Sequence, residues 1–297
     1  MRVPINRGDR LGIAGPCESR YALTVVSDRV VVDRYVVRDL RQVATLEVAR
    51  DDPYFFDHPL DHMPGMALVC GLLDIVRRAG LGSPEEPGGW MSLSLEFPAF
   101  CELTAPVELE AVPLPGATAL RVTQMGKVVC EGSVAFRESA VRGQGREHVA
   151  TAPADPGLVH RRRAENVLIG TPVIAEVSSV DVLRPPPGHR LATGEGAPLR
   201  VETVIDATRQ FGTLLCHEEF KRSADTTLVL LGLDVEVACG LTGEVRLSRR
   251  QTAAPRSRHK DGIDVFADGE AAGRIVFDYF SAKPGVYRRM RGEVPVQ

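Results

Sequence analysis

The chain has 297 residues, 44% hydrophobic and 25% charged, with a formal net charge of -3 at pH 7. That length accommodates one large or two medium domains, each with its own core, and the near-neutral balance gives no pull toward nucleic acid or a membrane surface. No apolar run approaches the roughly 20 residues that span a bilayer, and the opening MRVPINRGDRLGIAGP lacks a signal peptide's apolar stretch. Six scattered cysteines (Cys17, Cys70, Cys101, Cys130, Cys216, Cys239) form no CxxC pair, so free thiols in a cytoplasmic protein without a zinc site are expected.

In chain order, an N-terminal segment (1–28) precedes VVDRYVVRDLRQVATLEVA (31–49), with short β-branched runs broken by charges. A Pro/His/Gly turn region (53–65) leads into a helix-like apolar run, MALVCGLLDIVRRAG (66–80), and then a turn cluster, SPEEPGG (83–89). Four segments, 91–97, 107–112, 117–125 and 128–136, alternate apolar and polar residues at period two, as half-buried antiparallel strands do. Gly126 suits a hairpin between the last two. A polar, Gly/Pro-rich stretch (137–157) reads as a linker.

The order then recurs. LVHRRRAENVLIG (158–170) and a strand (174–183) precede a Pro-rich loop (184–198) and a second helix-like run (199–220). Strands follow at 228–238, 244–251, 262–268 and 273–282, the last two straddling Asp268-Gly269. The basic clusters Arg161–Arg163 and Arg249–Arg250 read as solvated faces; Trp90, Phe97 and Phe100 read as core. Two repeats are therefore expected, 29–136 and 158–297, each an α+β unit in which an antiparallel sheet half-wraps one long central helix and buries its apolar face.

The most informative stretch is YFFDHPLDHMPGM (54–66). Together with VHR (159–161) and ATRQ (207–210), it resembles the A-factor biosynthesis (AfsA-like) hot-dog family, which supplies butyrolactone, butenolide and furan signal precursors. It is more distantly similar to β-hydroxyacyl-carrier-protein dehydratases, although its loop is shorter. The resemblance implies a tandem (double) hot-dog, an intramolecular pseudo-dimer in which the loop of one repeat faces the helix of the other. The family's acid–x–x–Arg–Gln helix pattern is absent from the first copy, where Cys70, Leu73 and Asp74 stand, and present in the second as Asp206, Arg209 and Gln210. Conversely, the second copy lacks the HPLDHMPGM loop, with His189 its one obvious relic. This complementary loss points to a single composite site.

Asp206, Arg209 and Gln210 lie at i, i+3 and i+4, so they share one helix face. They form either a pocket-facing acid oriented by Arg209 or an exposed ion pair. His58 and His62 flank Asp61, and one is expected as general base or acid while the other caps the turn with Asp57 or Asp61. Asp61, Gly65, Met66 and Cys70 are the candidate substrate contacts; the N–H groups of Gly65 and Met66, free at a helix start, could hold an oxyanion. Cys70 reads as a buried packing thiol rather than a nucleophile, and His160 and His217 as structural.

The family resemblance implies transfer of a β-ketoacyl group from a carrier-protein or coenzyme A thioester to dihydroxyacetone phosphate, with no metal or redox cofactor. A β-hydroxyacyl thioester dehydratase, a thioesterase and a catalytically inactive acyl-binding protein are the alternatives. The working state is a monomeric pseudo-dimer or a homodimer.

Overall fold

The alternating segments build strands. In the computed structural model, residues 32–38, 40–84, 88–139, 151–223, 225–250 and 257–292 are described; the N-terminal segment 1–28, with Cys17, and residues 140–150 of the linker lie outside them. The strands are β1 (Val32–Arg38), β2 (Arg41–Leu46), β3 (Gly89–Glu96), β4 (Val107–Leu114), β5 (Ala117–Gln124), β6 (Lys127–Glu138), β7 (Val177–Asp181), β8 (Thr227–Ala238), β9 (Val245–Arg250), β10 (Arg258–Ala267) and β11 (Glu270–Ala282). The helices are α1 (Gly65–Arg78), α2 (Val201–Glu218) and α3 (Pro284–Met290).

All eleven strands join one antiparallel sheet in the order β1-β2-β4-β5-β6-β3-β8-β11-β10-β9-β7. Its seam is the β3–β8 pair, where Leu93 faces Val235 and Leu95 faces Leu233. Helix α1 packs on β2, β4 and β5, whereas α2 packs on β10 and β11. Ten of the fourteen α1 residues are buried, and the apolar core runs unbroken from α1 through the seam to α2. Each long helix thus buries its apolar face on its own stretch of sheet.

The two expected hairpins carry the turn that matches strand twist. Met125 and Gly126 have φ of 50° and 73°, and Asp268 and Gly269 have 50° and 86°. Three elements differ from expectation. Strand β10 begins at Arg258, because the alternation continues through charged residues whose partners lie across the ladder, such as Asp278 at 2.9 Å from Arg258. Strand β7 is shorter than 174–183, because Val173 and Ser179 hydrogen-bond to each other at 2.8 and 2.9 Å and turn the chain back. Helix α3 has no apolar period to announce it; Pro284 starts it. Trp90 is only partly buried, its indole donating to Glu236 at 2.8 Å, and Phe100 packs edge-on to His62 instead of entering the core. No helix among the described residues is long and apolar enough to cross a membrane.

Candidate active site

Two carboxylates, Asp52 and Asp57, hold much of the loop between β2 and α1. Asp52 accepts the N–H groups of Tyr54 and Phe55 at 3.0 and 2.9 Å. Asp57 accepts those of Arg162 and Arg163 at 3.0 and 3.1 Å, tying the loop to the start of the second half. Asn166 donates to the Pro53 carbonyl at 2.7 Å, and Arg161 to that of Tyr54 at 2.8 Å. Front and back halves of the chain therefore meet at this loop.

Beside it lies a cavity of about 790 Å³. Val69 of α1, Leu230 and Leu233 of β8 and Phe277 of β11 contribute its apolar wall; His58, His62, His160, Arg161, Arg162 and Arg209 contribute polar groups. Gly65 and Met66, at the start of α1, also line it. No side chain caps that helix, so its first N–H groups are available to an oxygen in the cavity.

Asp206 does not line this cavity. Its side chain is fully buried, and both oxygens are taken: Oδ1 by Arg209 Nε at 2.7 Å, Oδ2 by Arg161 Nη2 at 2.7 Å and Gln210 Nε2 at 3.0 Å. Burial by itself would raise its pKa, but the Arg209 and Arg161 guanidinium groups beside it hold the carboxyl well below the usual carboxylate range. The pocket-facing acid of the sequence reading is thus an internal anchor, and its two arginine partners are what reach the cavity. Gln210 is equally occupied, accepting from the Leu168 N–H at 2.9 Å and donating to the Asn166 carbonyl at 2.9 Å. Cys70 sits inside α1 and does not line the cavity, its thiol pushed well up by burial and by Glu202.

The two loop histidines have different surroundings. His58 is half-buried, its Nδ1 has no hydrogen-bond partner, and burial together with Arg209 and Arg161 pushes its pKa down to about 4. It is therefore a neutral imidazole at physiological pH. His62 is engaged at the rim: its Nδ1 lies 2.7 Å from Asp61 and 3.0 Å from the Tyr287 hydroxyl of α3. Asp61 in turn accepts from Tyr287 at 2.6 Å and Arg291 at 3.2 Å, and Arg291 also binds Glu102 at 2.8 Å. Asp61 lines the cavity, but its oxygens are committed to this latch.

His160, Arg161 and Tyr54 are the cavity residues that sequence reasoning passed over. Arg161 is buried, not part of a solvated face; its guanidinium lies 4.9 Å over the Tyr54 ring. His160 Nε2 is 2.9 Å from His217 Nε2, and His217 Nδ1 is 3.0 Å from the Arg222 carbonyl. Because a carbonyl only accepts, that contact puts a proton on His217 Nδ1. Burial, His217 and Arg209 lower the His160 pKa to about 4. The VHR triplet (159–161) was the available signal for both residues.

This geometry sits in a chain with recognisable relatives. Residues 24–137 match the A-factor biosynthesis hotdog domain. That match covers 114 of the 297 residues, the part of the chain that carries the HPLDHMPGM loop. Over 119 residues, 37% of this chain, the sequence is 34% identical to a 2-oxo-3-(phosphooxy)propyl 3-oxoalkanoate synthase of Streptomyces virginiae, and the alignment spans 38% of that relative's own length. The fold extends the likeness beyond the matched segment. The dehydratase domain of RzxB from Pseudomonas fluorescens superposes with a TM-score of 0.58 at 13% identity, covering 86% of this chain and 98% of that one. The tesB protein of Mycobacterium avium subs paratuberculosis superposes with a TM-score of 0.52 at 15% identity, covering 84% and 96%. At such identities these structures establish the hot-dog fold alone.

Proposed function

We propose that the protein is an acyl-thioester-processing enzyme of secondary-metabolite or signalling-molecule biosynthesis that transfers a β-ketoacyl group to a hydroxyl of dihydroxyacetone phosphate. One observation carries this reading: the cavity combines an apolar wall with a neutral histidine and arginines, while the buried carboxylate behind it has no proton to give. Acyl transfer needs a base and an oxyanion site; dehydration needs, in addition, an acid to protonate the departing hydroxyl. The name of the Streptomyces virginiae relative, a 3-oxoalkanoate ester of a phosphooxy-propanone, supports the same substrate pair.

In this mechanism His58 takes the proton of the acceptor hydroxyl as its oxygen attacks the thioester carbonyl. The N–H groups of Gly65 and Met66 hold the oxyanion of the tetrahedral intermediate. Collapse expels the thiolate, which recovers the proton from the His58 imidazolium, leaving ester and free thiol. Asp206 acts through Arg161 and Arg209 as a positioning residue, and Gln210 fixes the backbone at 166–168. His62 and Asp61 belong to the rim. The chain is read as two hot-dog repeats, 29–136 and 158–297, the first supplying the histidine loop and the second the arginine-bearing helix, in a cytoplasmic protein that meets its acyl group on a carrier protein or coenzyme A.

The test is incubation with a β-ketoacyl N-acetylcysteamine thioester, with and without dihydroxyacetone phosphate, followed by mass spectrometry. Acceptor-dependent ester formation is the expected result. Loss of water from a β-hydroxyacyl thioester would select the dehydratase, acceptor-independent release of free acid the thioesterase, and no turnover the acyl-binding protein.

A further inference from the structure

His58 has a hollow on either side. Besides the main cavity, it lines a separate cleft of about 350 Å³ together with Arg50, Leu103 and Arg162. Pro59, Leu60 and Arg162 also border both spaces, so the short His58–Leu60 segment is a partition with the candidate base on it. The two sides differ in chemistry. Arg161 and Arg209 in the main cavity are already paired to Asp206. Arg50 and Arg162 are exposed and have no carboxylate partner among the described residues; Arg50 donates to the Leu103 carbonyl at 3.1 Å, which fixes one end of its fork and leaves its other donors open. The carboxylate in the cleft wall, Asp57, is buried and turns its oxygens to the N–H groups of Arg162 and Arg163, so it is satisfied from within the wall.

We infer that this cleft is a phosphate-binding entrance for the acceptor, with Arg50 and Arg162 holding the phosphate and the acceptor hydroxyl reaching His58 from the side opposite the acyl chain. The inference rests on the acyl-transfer reading for its acceptor. Its physical content is a division of labour: the apolar cavity takes the thioester's acyl chain, and a dianion that would be costly to bury beside that chain stays in a half-open, arginine-lined cleft. Guanidinium groups suit this task because their planar forks pair with phosphate oxygens two at a time. His58 then stands where the two substrates meet, and neither needs to pass the other.

Calorimetric titration of dihydroxyacetone phosphate into the protein without thioester tests the cleft directly, using wild type, Arg50→Ala, Arg162→Ala and Arg50→Lys. Each alanine variant is expected to weaken binding about tenfold, as loss of a charge-assisted hydrogen bond does, and Arg50→Lys to recover part of the loss. In the transfer assay Arg50→Ala, which alters the cleft and not the main cavity, raises KM for the phosphorylated acceptor about tenfold and leaves KM for the thioester unchanged. Wild-type affinity in both alanine variants, absence of binding by the wild type, or a rise in the thioester KM instead would overturn the inference. Arginine-dependent binding without any ester formation would uphold the cleft while removing the acyl-transfer reading.

Discussion

Arg161 donates to Asp206 at 2.7 Å and, through its other terminal nitrogen, to the Tyr54 carbonyl at 2.8 Å. One guanidinium thus joins the histidine loop of the first half to the long helix of the second. Its partner carboxylate is fully buried, and so is most of the guanidinium, so the pair depends on the hydrogen bonds of its two terminal nitrogens to offset its lost hydration.

Asp206→Asn should therefore act on stability before it acts on chemistry. Removing the charge leaves Arg161 and Arg209 facing each other without an anion, and a broken buried pair costs about 3–5 kcal/mol. Urea denaturation of the two proteins checks this. A loss of turnover with unchanged stability would instead make Asp206 a participant in the reaction.

His58→Gln should reduce turnover by about 10²–10⁴, the range for loss of a general base, while leaving the melting temperature nearly unchanged. Since burial and the neighbouring arginines place the His58 pKa at about 4, the acid limb of the wild-type kcat/KM profile should fall near pH 4. A limb near 6.5 would point to a histidine in an ordinary environment, and a wild-type rate in the variant would remove His58 from the mechanism.

Acid stability should decline in two stages. His58, His160 and His189 each have a folded-state pKa of about 4, below the ordinary 6.5, mainly because of burial. The unfolded chain therefore binds more protons between those values, and stability falls as pH drops from about 6.5 to 4. Asp206 is depressed too, so its contribution is complete above the ordinary carboxylate pKa and is lost on further acidification. Chemical denaturation at a series of pH values should show both stages, and His189→Gln should flatten the first. A stability independent of pH from 7 to 4 would contradict the assignment.

The C-terminal helix should behave as a latch on the cavity rim. Tyr287→Phe removes the hydroxyl shared by Asp61 and His62, and Arg291→Ala removes the ion pairs to Asp61 and Glu102. These are partly exposed contacts, so each substitution should cost no more than about 1 kcal/mol globally. Local opening should nevertheless rise, read as faster amide exchange in 284–292 and 58–63. Unchanged exchange would mean that α3 is held by its strand connection alone.

The strands, both long helices and the loop motif were legible because each is local: period-two alternation, apolar runs and a nine-residue string require no knowledge of distant contacts. Helix α3 was not, since its anchors, Asp61 and Glu102, lie about 190 to 230 residues away in the chain. The roles within acid–x–x–Arg–Gln were not legible either. Spacing places Asp206, Arg209 and Gln210 on one face, but which of them meets solvent in a cavity depends on what packs against that face.

The amino-acid sequence by itself determined the two long helices, most of the strands, their order and the residue types available for chemistry, because backbone periodicity and turn propensity act within a few residues. Only the tertiary structure decided which charges are spent on one another. Asp206 meets Arg161 across 45 positions and Asp57 meets Arg162 across 105, and a polar group's function depends on whether such a partner has already satisfied it.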